Sequence, residues 1–199
     1  TTTTKTINKK GTIILIATVI FGLPSCTYKE SSAKNNFQTN EVKIGKPKMD
    51  INTATFTGNL KEVKKHIHHK LDLNIKDPMG GSTPLITACL FGKNEIAKAL
   101  IDAGADLNIQ NKEGSTALHC ASFFCNTELT AYLIKNKADQ TIKNKQGATP
   151  FESMQGNFDQ VKPFYQAIEK QLKPLGFKLD YEHLEKTRPI IRHLLKSIN

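Results

Sequence analysis

Gly81-Ser82-Thr83-Pro84-Leu85 returns 33 positions later as Gly114-Ser115-Thr116-Ala117-Leu118, and after a further 33 as Gly147-Ala148-Thr149-Pro150-Phe151. Ala103-Gly104-Ala105-Asp106-Leu107-Asn108-Ile109 has its own echo in Asn136-Lys137-Ala138-Asp139-Gln140-Thr141-Ile142, at the same interval. A fixed period of this length decides an architecture before any single residue does.

One unit shows what the period encodes. Thr83 caps a short helix that Pro84 opens, at the position where a missing N–H costs nothing. Leu85, Ala88 and Cys89 form a narrow face of small apolar groups, and Gly92 allows the reversal that ends it. A second helix follows from Asn94, with Ile96, Ala97, Leu100 and Ile101 at helical spacing. Gly104 stops it, and Asp106 to Gly114 makes a polar turn with Asn111 near its tip. Neither helix can bury its apolar side alone, so the units must stack.

These motifs, Gly-x-Thr-Pro-Leu-x-x-Ala, Gly-x-x-Glu-Ile and Gly-Ala-Asp-Leu-Asn, resemble the ankyrin repeat. The unit at 81–110 matches closely. In the unit at 114–143, Cys125 replaces the turn glycine and Asn136-Lys137-Ala138 replaces Gly-Ala. A worn copy at about 50–77 precedes them: Ala54, Gly58, Ile67 and Asp72-Leu73-Asn74 stand 34 positions before Ala88, Gly92, Ile101 and Asp106-Leu107-Asn108. The extra glycine of Gly80-Gly81 accounts for the longer interval. The resemblance implies an all-α solenoid of stacked helix-turn-helix pairs joined by β-hairpin-like turns over residues 50–157, with a fourth start at 147.

Residues 158–199 read as a divergent last repeat and a helical C-terminal cap. Ile168, Leu172, Gly176 and Leu179 match Ile96, Leu100, Gly104 and Leu107 after an insertion following Met154, so Pro163 to Lys173 is expected to be the second helix of the fourth unit. Asp180 is expected to cap a short helix through Leu184. Pro189 should then start the last helix, with Ile190, Ile191, Leu194, Leu195 and Ile198 on its apolar side. Arg188, Arg192 and Lys196 recur at intervals of four and are read as a solvated face.

The composition, 38% hydrophobic and 23% charged, excludes wholesale disorder. The net charge of +10 is partly local. Lys5, Lys9 and Lys10 precede the apolar run Ile13 to Phe21, which is too short to span a bilayer comfortably. Leu23-Pro24-Ser25-Cys26 then resembles the lipobox of bacterial lipoproteins, although Pro24 departs from the commoner small or aliphatic residue. The resemblance implies a signal peptide over 1–25, lipidation of Cys26, and an envelope protein anchored on the extracytoplasmic side. Loss of those three lysines lowers the charge to +7. Thr27, where an aspartate would favour inner-membrane retention, leans towards the outer membrane. Residues 26–49, rich in Ser, Asn, Lys and Thr, are expected to be a flexible linker.

The candidate chemistry is thin. His66 and His69 of His66-Ile67-His68-His69 share a side of a helix, but no cysteine or carboxylate is placed to complete a zinc site, and the run is read as solvent-facing polar residues. Cys89, Cys120 and Cys125 have spacings that fit no zinc pattern and are read as buried structural thiols, with one disulfide among them as the alternative that only distances decide. No phosphate-binding glycine loop, paired-carboxylate motif or nucleophile elbow occurs. The expectation is a non-enzyme with no cofactor, no metal, no small-molecule substrate and no nucleic-acid partner. The repeat resemblance also implies that His119 hydrogen-bonds the neighbouring turn.

Surface remains. The resemblance places a protein partner against the hairpin tips, at Pro78, Met79, Lys112, Glu113, Lys145 and Gln146, and against the concave ends of the first helices, at Phe56, Leu90, Phe91, Phe123 and Phe124. Aromatic groups there would anchor a partner, or else fill gaps between neighbouring helices. The competing readings are a metal-dependent accessory factor or enzyme built on the histidine run, and a purely structural envelope protein.

Overall fold

The computed structural model describes residues 44–196. The expected signal peptide, Cys26, most of the linker and Ile198 lie outside the described residues. Among those described, helices pair as α1 (Ile51–Phe56) with α2 (Leu60–His68), α3 (Pro84–Leu90) with α4 (Asn94–Asp102), and α5 (Ala117–Phe123) with α6 (Thr127–Lys135). A 3-10 turn, Glu152–Met154, follows, then α7 (Phe158–Leu172), a second 3-10 turn at Lys173–Leu175, and α8 (Tyr181–Lys196). No described residue is in a strand.

The caps are those the period demands. Thr83 Oγ1 accepts from Ile86 N with Pro84 in the first turn, and Thr116 with His119 forms a reciprocal capping box. Helices of seven residues are marginal alone, so packing supplies their stability. The first helices α1, α3 and α5 lie side by side in one row, and α2, α4 and α6 in another. Ala54, Ala88 and Ala121 are all fully buried and occupy corresponding places in the inner row. A methyl group at each allows close approach of neighbouring helices. Leu85, Leu118, Leu100, Leu129 and Leu133 fill the space between the rows.

Two ladders tie unit to unit at the turns. Asn74 Oδ1 accepts from Asp106 N at 3.0 Å, and Asn108 Oδ1 accepts from Asp139 N at 2.9 Å. At the tips, Lys112 N donates to Gly80 O at 2.9 Å and Lys145 N to Glu113 O at 3.0 Å.

The last unit departs from expectation. Thr149 and Glu152 cap each other, with Thr149 N donating to Glu152 Oε2 at 2.8 Å, but only a 3-10 turn follows instead of a first helix. That turn packs against α5, and α8 is the element that packs against α6. The second helix of the fourth unit is therefore α8, and the segment Pro163 to Lys173 belongs to α7, an excursion inserted between the two. α7 begins at Phe158, earlier than Pro163, because Asn157 and Gln160 form a capping box there. Asp180 does cap, accepting from His183 N, but the helix it opens runs unbroken to Lys196 with Pro189 inside it. Pro189 faces solvent, where the carbonyl it leaves unpaired can be hydrated.

Arg188 is likewise not part of a solvated face. It is 3% exposed, and its guanidinium donates to Tyr165 Oη at 2.9 Å, Met154 O at 3.0 Å and Gln155 O at 3.2 Å. A 3-10 turn leaves its last carbonyls without helical partners, and this cation satisfies them.

Candidate binding surfaces

The predicted partner residues fall on two edges, at opposite ends of the inner helices. Pro78, Met79, Lys112, Glu113, Lys145 and Gln146 are exposed on the hairpin-tip edge. Side chains there rigidify the turns: Asp77 Oδ1 accepts from Met79 N and Gly80 N, Asn111 Oδ1 from Glu113 N and Ser115 N, and Asn144 Oδ1 from Gln146 N and Ala148 N. Lys112 Nζ reaches back to Pro78 O and Met79 O, at 2.9 and 2.7 Å. Met79 stands at 87% exposure, an apolar side chain held out by a fixed frame.

Phe56, Leu90, Phe91, Phe123 and Phe124 lie on the other edge, where first helix turns into second. The rings form a continuous run, with Phe56 edge-on to Phe91 at 5.1 Å between centroids and Phe123 edge-on to Phe124 at 5.3 Å. The chain itself supplies the rings between and beyond them. Phe177 sits edge-on to both Phe91 (5.7 Å) and Phe124 (5.5 Å), and Tyr165 of α7 stacks on Phe123 at 4.5 Å. The motif spacing exposed this stripe but could not show its occupant, since Tyr165 and Phe177 belong to no repeat. A cleft of about 220 Å³ remains beside Phe177, bounded by Phe91, Phe124, Asn126 and His183.

The histidine run does not converge. His66 is buried and its Nε2 donates to Met49 O at 2.8 Å, while His69 Nε2 donates to Ile44 O at 3.2 Å. With Glu62 accepting from Lys48 N at 2.7 Å, these side chains strap residues 44–49 along α2. The expectation of solvent-facing polar residues thus fails for His66. Among the described residues no group of three or more His, Cys, Asp or Glu side chains is arranged to hold a metal ion.

His119 takes the expected structural place. Its Nδ1 accepts from Thr116 N at 3.2 Å and its Nε2 donates to Ala148 O at 3.1 Å, and burial holds its pKa below the usual value. Cys89, Cys120 and Cys125 are free and buried. Burial pushes the Cys120 thiol to about 12 and that of Cys125 to about 11, so neither is a nucleophile near neutral pH. Cys125 is in the left-handed region (φ 56°) that Gly92 occupies one unit earlier. Its sulfur fills a fully buried site 3.6 Å from Leu184 O of α8, a packing role no repeat motif signals.

The model of ankyrin repeats matches residues 51–144, in three copies. Among solved structures, the ankyrin repeat domain of Bcl-3, described as a unique member of the IkappaB protein family, is similar at 29% identity with a TM-score of 0.50. The likeness covers 52% of this chain and 45% of that one, so the chain spans less than half the length of that relative. Among curated proteins no sequence matches. The fold is an all-helical ankyrin-repeat solenoid, and repeats of this kind generally mediate protein–protein interaction.

Proposed function

We propose that this protein binds another protein non-covalently through its row of hairpin tips, and performs no chemistry of its own. The observation that carries this reading is the rigid tip edge. Backbone bonds from Lys112 to Gly80 and from Lys145 to Glu113 fix successive tips, so Met79, Glu113, Lys145 and Gln146 are presented with little ordering cost left for binding. Met79 would supply the apolar contact, and the surrounding charges the specificity. The structural partners of His66 and His119 and the burial of the three thiols support this reading over a metal-dependent or catalytic one.

The lipobox-like Leu23-Pro24-Ser25-Cys26 supports a further element of the proposal, that the domain works from a lipid anchor on the extracytoplasmic face of a bacterial envelope. Acyl chains on Cys26 would make anchoring stable where a single chain would not. Affinity capture of the full chain from its own membranes, followed by mass spectrometry, tests the binding role. A stoichiometric protein partner is expected, and Met79→Ser with Lys145→Glu should weaken it by about tenfold or more. Undiminished capture by that double variant would move the contact off the tips. Separately, a Cys26 peptide without acyl mass, or a Cys26→Ala chain that stays in the membrane fraction, would remove the anchor.

A further inference from the structure

α7 is not part of the repeat frame. It interrupts the fourth unit between its 3-10 turn and α8, and of its fifteen residues only Tyr165 is buried. Phe164, on the same helix, is 66% exposed, and Leu175 just beyond it 53%. Gly156 and Gly176 flank the excursion with φ of 81° and 76°. Phe158 and Val161 pack on the core, and Glu169 accepts from Leu179 N and Tyr181 Oη. Few apolar groups of α7 are fully buried, however, which is the feature of segments that open before global unfolding.

What Tyr165 occupies is a shaped receptor. Its ring stacks on Phe123, its hydroxyl donates to Phe123 O at 2.6 Å, and the same oxygen accepts from Arg188 at 2.9 Å. Arg188 is held in place independently by Met154 O and Gln155 O. Beyond Tyr165, the rings of Phe91 and Phe124 receive Phe177. A buried cation, a carbonyl and an aromatic wall converge on one phenol, which is a pattern that favours tyrosine over phenylalanine. A missing hydroxyl takes one acceptor from the buried Arg188 and the stronger donor from Phe123 O.

We propose that this edge of the repeats is a groove for a tyrosine-bearing amphipathic helix of a protein partner, and that α7 with Phe177 is the chain's own occupant, which such a partner must displace. The proposal rests on the reading of the domain as a protein binder, but not on the hairpin tips as its contact. Resting affinity of the groove is lowered by the fraction of molecules in which α7 is seated. The two edges would then differ in availability: the tips are open at all times, and the aromatic edge is conditional.

Hydrogen exchange on the full, unaltered chain tests the opening. Amides of α7 should exchange at least about tenfold faster than those of α3 to α6. Exchange of α7 in step with α5 and α6 overturns the proposal, because α7 would then be part of the cooperative frame. A labelled peptide of residues 156–180 tests the groove. It should bind the Tyr165→Ala chain at least about tenfold more tightly than the unaltered chain, and lose that binding when its own tyrosine at 165 becomes phenylalanine. Equal binding to both chains overturns it. So does dimerisation of the unaltered chain by exchange of α7, which would make a second copy the occupant. If Tyr165→Ala does not fold, the exchange measurement on the unaltered chain decides alone. None of these readouts uses the hairpin tips or their partner.

Discussion

The unit at 81–110 and the unit opening at 147 begin with the same Thr-Pro step and part company within one turn. In the first, Thr83-Pro84 starts α3, and Ala88 gives the methyl-sized contact that lets α1, α3 and α5 lie close. In the last, Met154 occupies the place of Ala88 and Ala121, and Gly156 arrives two residues on. A long thioether at a close-contact position, with a helix stop behind it, leaves room for a 3-10 turn only. Met154 is nevertheless fully buried, and fills the space a first helix would have taken. The lesson is that a good cap nucleates a helix, but row packing decides whether it grows.

The largest expected effect separates the two units at Arg188, which has no counterpart in the regular repeats. Arg188→Leu should cost about 3 kcal/mol in urea unfolding, because Tyr165, Met154 and Gln155 lose a charged donor in a buried setting. A loss under about 1 kcal/mol would mean the last unit does not depend on this cation.

Next comes a matched pair of glycines. A Cβ on Gly114 (φ 73°) would lie 2.8 Å from Lys145 N, while one on Gly147 (φ 76°) meets nothing within 4 Å. Gly114→Ala should cost about 2 kcal/mol or more, and Gly147→Ala about 1 kcal/mol, the backbone strain alone. Equal losses would show that no tip presses on the other.

A smaller contrast lies within the third unit. Lys137 (φ 65°) is exposed in a left-handed conformation, so Lys137→Gly should stabilise by about 0.5–1 kcal/mol. Cys125→Gly relieves the same strain but empties the site against α8, and should not stabilise. Thermal unfolding of both variants would settle whether Cys125 serves the junction with the last unit.

The smallest effect is pH-dependent. His119 has a folded pKa below its unfolded value of 6.5, so the unfolded chain binds protons first as pH falls. Stability from this group is complete above that value and declines as pH drops through it, since a protonated ring cannot accept from Thr116 N. The His119→Gln chain should lose less stability between pH 7 and 5 than the unaltered chain, measured by urea midpoints. An identical slope would remove His119 as the cause.

Much of the frame was legible because its signals are local. Thr83, Thr116, Gly92 and the Asp-Leu-Asn steps each act within a few residues, and the ladder of Asn74 and Asn108 recurs from unit to unit. The positions of the candidate residues, as tips and helix ends, follow from the same period. What covers them was not legible: Tyr165 and Phe177, from outside the regular repeats, pack on the helix-end set and leave the tips exposed. Pro163 and Pro189 misled in the same way, since proline usually begins a helix and here lies inside α7 and α8.

By itself the sequence determined the period, the caps and the apolar faces, because each is a short-range property that survives in any context. The tertiary structure alone decided that α8 rather than α7 completes the outer row, that Arg188 is buried, and that Tyr165 and Phe177 cover the aromatic edge. Those outcomes are competitions between segments far apart in the chain for one surface, and the winner is set by shape and by unmet hydrogen bonds that no local pattern carries.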